Sequence, residues 1–315
     1  MKIKDVGEFK LIEEIAKLVS IKDDKVIVGI GDDAAIVKTS EGQLAVLTTD
    51  ILVEDVHFRL DLTSPYQLGY KSFVVNISDI AAMAALPRFA LVSMALNPNT
   101  KSEFVQNLYK GMLKAANTYG VSIVGGDTTS SEKLIISVTI IGEVESNLFR
   151  LRSEAKVGDR ILVTGELGAS SMGLRLLSNK TKKSWDKLVN AHLSPVPRVY
   201  EARTASQLGA HAMEDISDGL IGEIKHICEK SNVGAKIYLN QLPITPEVFE
   251  AAAKLKVNAY DFALYGGEDY EIVFTAPPEK TEKIKRGVFR KTNTPVTEIG
   301  KITKDRSILI VLPDG

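Results

Sequence analysis

Pro65-Tyr66-Gln67-Leu68-Gly69-Tyr70-Lys71-Ser72-Phe73-Val74-Val75-Asn76-Ile77-Ser78-Asp79-Ile80-Ala81-Ala82-Met83-Ala84-Ala85-Leu86 decides how the rest of this 315-residue sequence is read. Proline at the first turn and the small residues Ala81, Ala82, Ala84 and Ala85 predict a long, mostly buried helix that its neighbours approach closely. Asp79 lies inside it, and a carboxylate taken out of water needs a partner. Further acidic signatures are spread on either side: Gly31-Asp32-Asp33, Thr48-Thr49-Asp50, Gly125-Gly126-Asp127, Asp215-Ile216-Ser217-Asp218 and Gly266-Gly267-Glu268-Asp269. Most stand where an apolar run stops, which predicts carboxylates gathered at element ends. An isolated Gly-Asp is ordinary turn chemistry. Asp32 beside Asp33, and Asp215 three residues before Asp218, instead bring like charges together, at a cost that a cation or a proton relieves. Hard divalent cations take oxygen ligands, and Mg2+ combines a few carboxylates with water and substrate phosphates. The chain therefore reads as a magnesium-nucleotide enzyme.

Outward from that helix the pattern alternates. Before it, Phe9, Leu11, Ile12, Ile15, Leu18 and Val19 recur at helical spacing over Glu8–Val19, and Val26–Ile30 and Leu44–Leu47 are β-prone runs that each lead into an acidic motif. After it come a strand over Arg88–Leu96, a helix over Lys101–Tyr119 closed by Gly120, and a strand over Leu134–Val144. The periodicity lapses over Glu145–Gly158 and resumes with a strand at Arg160–Thr164, helices near Gly168–Leu177 and Pro197–Leu208, a helix opening at Ser217, and strands over Ala235–Leu239, Tyr270–Phe274, Thr297–Ile299 and Ser307–Val311. The fold class is α/β, with two mixed α/β domains, 1–145 and 146–315, a division that also suits the length.

Composition narrows the chemistry. Hydrophobic residues make up 44% and charged residues 25%, with a formal net charge of -1, as in an ordinary globular protein. With no long basic run, a nucleic-acid partner is not expected, and an anionic ligand would need bound metal for its counter-charge. No apolar stretch approaches the ~20 residues of a membrane span. Cys228 is the single cysteine, which forms no internal disulfide or thiolate cage and fits a reducing cytoplasm. The phosphate-loop pattern G-x-x-x-x-G-K-[ST], the H-R-D and D-F-G signatures and the G-x-S-x-G elbow are all missing from the sequence. Ser217 could cap a helix beginning at Asp218, a helix start that would hold metal-ligating oxygens and offer N–H groups to phosphate. His57 stands just beyond Thr-Thr-Asp, read either as an ordinary histidine or as part of the site. Arg152 falls in the expected interdomain crossing, read either as a phosphate clamp or as a solvated arginine.

Taken in order, Gly29-Ile30-Gly31-Asp32-Asp33-Ala34-Ala35, Thr48-Thr49-Asp50, His57-Phe58, Asn76-Ile77-Ser78-Asp79-Ile80-Ala81-Ala82-Met83, Gly125-Gly126-Asp127-Thr128, Asp215-Ile216-Ser217-Asp218-Gly219-Leu220 and Gly267-Glu268-Asp269-Tyr270-Glu271 closely resemble the thiamine-monophosphate kinase family. Its superfamily also holds aminoimidazole-ribonucleotide synthetase, selenophosphate synthetase and a hydrogenase-maturation dehydratase. The resemblance runs from Gly7 to about Gly300. It implies a homodimer paired through β-strands of the N-terminal domains, ATP and thiamine monophosphate meeting in the interdomain cleft, several Mg2+ ions, and direct in-line transfer giving thiamine diphosphate with no covalent nucleophile or obligatory general base. By matching position, Asp33, Thr48, Thr49, Asp50, Asp79, Asp127, Asp215 and Asp218 are metal ligands. Gly126, Asp127, Arg152 and Ser217 contact ATP, with Tyr109 near the nucleotide, and His57 and Glu268 contact the acceptor. Asp55 and Ala84 stand where the family often has glycine. The sequence stops at Asp314-Gly315 without the family's aromatic C-terminal segment, which leaves Tyr265 or Tyr270 as candidates for contact with the thiamine ring. Selenophosphate synthetase would need a reactive residue near the N-terminus and the dehydratase a C-terminal cysteine, and neither is in the sequence. Aminoimidazole-ribonucleotide synthetase and a non-enzymatic nucleotide-binding protein stay open as alternatives.

Overall fold

The computed structural model describes residues 24–39, 44–179 and 185–312. The helix expected over Glu8–Val19 lies outside them. The first half forms a six-stranded sheet from β1 (Val26–Val28), β2 (Ala35–Lys38), β3 (Leu44–Val53), β4 (Leu86–Leu96), β5 (Ser122–Ser130) and β6 (Ile135–Val144), in the order β1-β2-β3-β6-β4-β5. Only β4 and β5 pair in parallel, joined by a crossover helix; their other neighbours are antiparallel. Among the described residues, two helices, α1 (Pro65–Ala82) and α2 (Ser102–Tyr119), belong to this half.

Helix α1 begins where the sequence says it should. The Ser64 hydroxyl accepts a hydrogen bond from the Gln67 N–H, the Gln67 side-chain oxygen accepts one from the Ser64 N–H, and Pro65 sits in the first turn, so the terminal N–H groups are satisfied locally. It ends at Ala82, earlier than the expected Leu86, because Ala84 turns the chain with φ 56 and Leu86 already pairs in β4. A left-handed turn is strained for alanine and free for glycine, which accounts for the glycine the family often has there.

The second half forms its own six-stranded sheet, in the order β12-β9-β11-β7-β10-β8. In chain order its elements are β7 (Arg160–Thr164), α3 (Ala169–Ser178), α4 (Asp186–Leu193), α5 (Val199–Gln207), β8 (Met213–Asp215), α6 (Leu220–Ser231), β9 (Gly234–Tyr238), α7 (Pro246–Leu255), α8 (Ala259–Tyr265), β10 (Ile272–Ala276), α9 (Pro278–Thr292), β11 (Val296–Thr303) and β12 (Ile308–Val311). No helix among the described residues is long and apolar enough to cross a membrane.

Helix α1 is the hinge of the architecture. It packs on β3 and β6 of its own sheet, on α2, and on α5 and β8 of the second half. Apolar contact on all sides is why Phe73, Val74, Ile77, Ile80 and Ala81 are fully buried and why the helix shows little amphipathic patterning. Leu162, Ala202, Phe274 and Ile284 join the apolar cluster that holds Phe73 and Val138, so the two halves share one core. Among the described residues, the sheet of the first half is covered on one face only: Val46, Leu52, Ala90, Val92 and Val138 point into the core, while Ile51, Phe89 and Leu91 are exposed on the other face.

Two expectations are corrected. The helix after Asp215 opens at Leu220 behind Gly219, not at Ser217, because the Ser217 and Ile216 carbonyls are taken by the Glu268 and Tyr270 N–H groups of a neighbouring loop. Thr48-Thr49-Asp50 and Gly125-Gly126-Asp127 lie inside β3 and β5, not at element ends. Threonine suits a strand that pairs along its whole length with β6, and paired glycines are tolerated on an edge strand such as β5.

Close approach of α1 and α2 depends on glycine. A Cβ on Gly69 would collide with the Leu108 carbonyl, and one on Gly111 with the Tyr66 carbonyl. Gly111→Ala is therefore expected to force the helices apart and cost about 2 kcal/mol or more, measured by urea denaturation. Unchanged stability would show that this contact is not tight in solution.

Candidate active site

The polar residues of α1 organise the site from inside the core. Asn76 is fully buried, and its side-chain oxygen accepts the Asp50 N–H at 2.8 Å. The Thr48 hydroxyl donates to Asp79 Oδ2 at 2.6 Å, and the Ser78 hydroxyl donates to Asp215 Oδ2 at 2.6 Å. One helix thus ties strand β3 of the first half to strand β8 of the second. Side chains alternate across a strand, so Thr48 and Asp50 face α1, whereas the exposed Thr49 faces the open side and its hydroxyl meets Thr139 at 3.0 Å.

Asp33, Asp79 and Asp215 each offer an oxygen, and the three oxygens lie within 4.8 Å of one another. Burial pushes all three carboxyls above the ordinary aspartate range. Asp50 and Asp215 add to this at Asp79, and Asp33 at Asp215. Asp50 is also pushed up by burial; nearby His57 favours its charged form and Asp218 opposes it. At Asp32, burial and the adjacent Asp33 raise the pKa to about 7. Positive charge comes from Arg152, whose guanidinium lies 2.7 Å from Asp33 and 3.0 Å from Glu214. Burial disfavours that cation, but these carboxylates hold it protonated. The remaining crowding of negative charge, and a donor set made wholly of oxygen, fit one or more hard cations such as Mg2+.

Beyond the carboxylates lies a pocket of about 220 Å3, lined by His57, Phe58, Lys71, Leu174, His192 and Leu193 among others. The exposed His57 has its Nδ1 fixed by the Val53 N–H at 2.9 Å. Glu268 sits between Lys71 and His192, 3.0 Å and 3.2 Å away. Burial alone would raise its pKa, but the His192 hydrogen bond and the Lys71 charge outweigh that and bring it to about 2. Asp55 takes φ 64, a conformation that suits glycine, and its carboxylate turns 3.4 Å from Lys133, so its charge has a partner other than His57. Phe58 is the aromatic residue on the pocket wall. Tyr270 is buried within reach of the Glu268, Asp50, Asp215 and Asp79 charges, and Tyr265 is exposed; neither lines this pocket. The C-terminal Asp314-Gly315 lie outside the described residues.

Not every predicted residue joins this group. Asp127 is exposed on edge strand β5, where its carboxylate accepts the Thr128 N–H. Gly126 lies straight across the sheet from Asp50, through Val138 and Val92, roughly 14 Å away at ordinary strand spacing. Tyr109 packs on the core of the first half. Ser217 lies beside the group, and its N–H, with that of Asp218, points to Glu223 Oε1. Sequence reasoning missed Lys71, His192 and a supporting network in which His226 Nδ1 lies 2.9 Å from Glu214 and 3.2 Å from Glu223. Lys71 gave the same signal as Asp79, a charge within an apolar helix. His192 gave none, because only the fold brings it to Glu268, and His226 gave only its helical spacing from Glu223.

Known proteins are similar to this chain over nearly its whole length. The N-terminal domain of the AIR synthase related proteins matches residues 31–144 and their C-terminal domain matches residues 156–312. The thiamine-monophosphate kinase of Bacillus subtilis is 39% identical over 98% of this chain and 94% of its own length. That of Aquifex aeolicus is 35% identical over 98% and 96%. A solved structure of AaThiL complexed with AMPPCP and TMP superimposes with a TM-score of 0.89 at 34% identity, covering 98% of this chain and 95% of that one.

If the buried carboxylates repel one another, removing one charge should help the fold while harming function. Asp79→Asn keeps an acceptor for Thr48, so the variant is expected to melt several degrees higher than wild type without divalent cation, to gain less stability from Mg2+, and to lose turnover. Calorimetry with and without Mg2+ checks this. A lower melting point in both conditions would show that the ionised Asp79 is satisfied by protein groups alone.

Proposed function

The chain belongs to the thiamine-monophosphate kinase family, and from that premise we propose that it transfers the γ-phosphoryl group of ATP to thiamine monophosphate, giving thiamine diphosphate and ADP. The observation that carries the reading is the convergence of the Asp33, Asp79 and Asp215 oxygens beside a pocket edged by His57. Asp33, Asp50, Asp79, Asp215 and Asp218, with Thr48, are the residues that would hold Mg2+. When bound, the metal supplies the positive charge that lets two phosphate groups approach. An oxygen of the acceptor phosphate attacks the γ-phosphorus as the bond to the β,γ-bridging oxygen breaks in line with it. With a second ionisation near about 6, that phosphate is already a dianion at neutral pH, so no general base is required. The chain supplies position and charge, the usual basis of phosphoryl transfer. Arg152 tempers the negative field around Asp33, and Ser217 lies where a nucleotide phosphate would pass. His57, Phe58 and Glu268 take the acceptor side. A donor of this kind places the reaction in the cytoplasm.

A homodimer completes the reading. Ile51, Phe89 and Leu91 are large apolar side chains exposed on the open face of the first sheet, which pairing would cover. Asp127 and Ser93 lie side by side and exposed. Asp127 becomes a metal ligand only if pairing brings it to the carboxylates of a second copy.

Incubation with ATP, Mg2+ and thiamine monophosphate is expected to yield thiamine diphosphate and ADP in equal amounts, with negligible product from free thiamine, which has no phosphate to attack. Chromatography reads both. No diphosphate from the monophosphate, or efficient formation from free thiamine, would overturn the reaction. Asp50→Asn and Asp127→Asn are each expected to abolish turnover; if the site is shared, mixing and re-pairing the two inactive variants should restore up to about a quarter of wild-type activity, since half the dimers would carry one intact site. No recovery among re-paired dimers would show that both residues serve one copy's site.

A further inference from the structure

Lys71 is buried in α1, about two turns before Asp79. An aliphatic residue would serve the packing there at least as well, since an ion pair withdrawn from water gains little stability over an apolar replacement. Its ammonium lies 3.0 Å from Glu268 Oε1, while His192 Nδ1, from α4, lies 3.2 Å from Oε2. The carboxylate is therefore gripped at both oxygens, once from each half of the molecule. Glu268 still leaves 31% of its side chain exposed, so it can meet a ligand while being held. Its backbone is constrained as well. Glu268 and Tyr270 take φ 64 and φ 51, conformations that persist in such residues only where the surroundings impose them. The Glu268 N–H donates to the Ser217 carbonyl at 2.7 Å, which fastens the loop to the segment carrying Asp215 and Asp218. Lys71 and His192 themselves reach the wall of the His57 pocket.

We infer that Lys71, assisted by His192, is a positioning residue for the acceptor, fixing the Glu268 carboxylate at the pocket and keeping that pocket in register with the Asp215–Asp218 segment. The inference rests on the reading that this pocket takes thiamine monophosphate. Lys71 acts through Glu268, so its removal weakens acceptor use and leaves the nucleotide side largely untouched.

The test compares wild type, Lys71→Met, Lys71→Arg, Glu268→Gln and the Lys71→Met/Glu268→Gln double variant, reading kcat and KM for thiamine monophosphate, acceptor and nucleotide affinity by calorimetry, and melting temperature. Lys71→Met is expected to raise the acceptor KM about tenfold or more, as loss of one partner from a buried charge pair does, while nucleotide affinity stays within about twofold and Lys71→Arg recovers most of the loss. The double variant should be little worse than Glu268→Gln alone, since residues acting through one another are not additive. An unchanged KM in Lys71→Met, an equal loss of nucleotide affinity, or additive effects in the double variant would each overturn the inference, the last by showing that Lys71 touches the acceptor itself. If Lys71→Met does not fold, His192→Gln and Lys71→Arg decide. A rise in acceptor KM in His192→Gln with partial retention in Lys71→Arg supports the inference, and wild-type values in both contradict it. Absence of product from wild type would sink the proposed reaction, whereas acceptor affinity would still report whether Lys71 positions Glu268.

Discussion

The structure depends on holding Asp79 in a helix that packs against both halves of the molecule. In water a carboxylate costs nothing special; at this position it must be matched by hydroxyls, a cation or a proton. The helix solves part of the problem with its neighbours. Thr48 donates to Asp79, Ser78 donates to Asp215, and Asn76 fixes the Asp50 backbone. These contacts bind the two sheets to each other through one element, so the carboxylates are placed by the core rather than by loops. Crowding of Asp33, Asp79 and Asp215 is left incompletely answered by Arg152, and a bound cation would neutralise the negative charge that remains.

The same helix links the two sides of the proposed reaction. Asp79 stands at the metal side and Lys71, further up, at the acceptor side. Between them the Glu268 N–H donates to the Ser217 carbonyl, which fastens two segments of the second half, and Lys71 ties Glu268 to α1. A shift of α1 relative to β8 would disturb metal and acceptor groups together, which argues for a rigid frame at this junction. Direct transfer between two phosphates has little covalent chemistry for the protein to perform, so accurate placement is what the fold must provide.

Much of this was legible in the sequence, because burial and charge conflict there in plain view. Asp79 in an apolar helix, paired aspartates after Gly31 and before Gly219, and the ordered acidic motifs all announced the site. Among the described residues, strand and helix positions in the first half followed from periodicity, apart from short β2 and from β5, whose paired glycines and polar residues give no apolar alternation. Helices α4, α7, α8 and α9 escaped because they are short or strongly polar on one side, and their helical state comes from packing and caps such as Thr245 before Pro246. The face of Thr49 and the place of Asp127 could not be read, since both depend on which side of a strand and which edge of a sheet a residue occupies. His192 reaches Glu268 only through contact between elements distant in sequence, whereas Glu223 and His226 are neighbours on α6.

Mn2+ binding followed by electron paramagnetic resonance tests the central claim most directly, because it reads the cation site without requiring turnover. The account predicts saturable binding to the wild-type protein that is lost or greatly weakened in Asp79→Asn and Asp215→Asn variants with intact folds. Undiminished binding in both variants would contradict it, since the buried carboxylates around α1 would then not be what holds the metal.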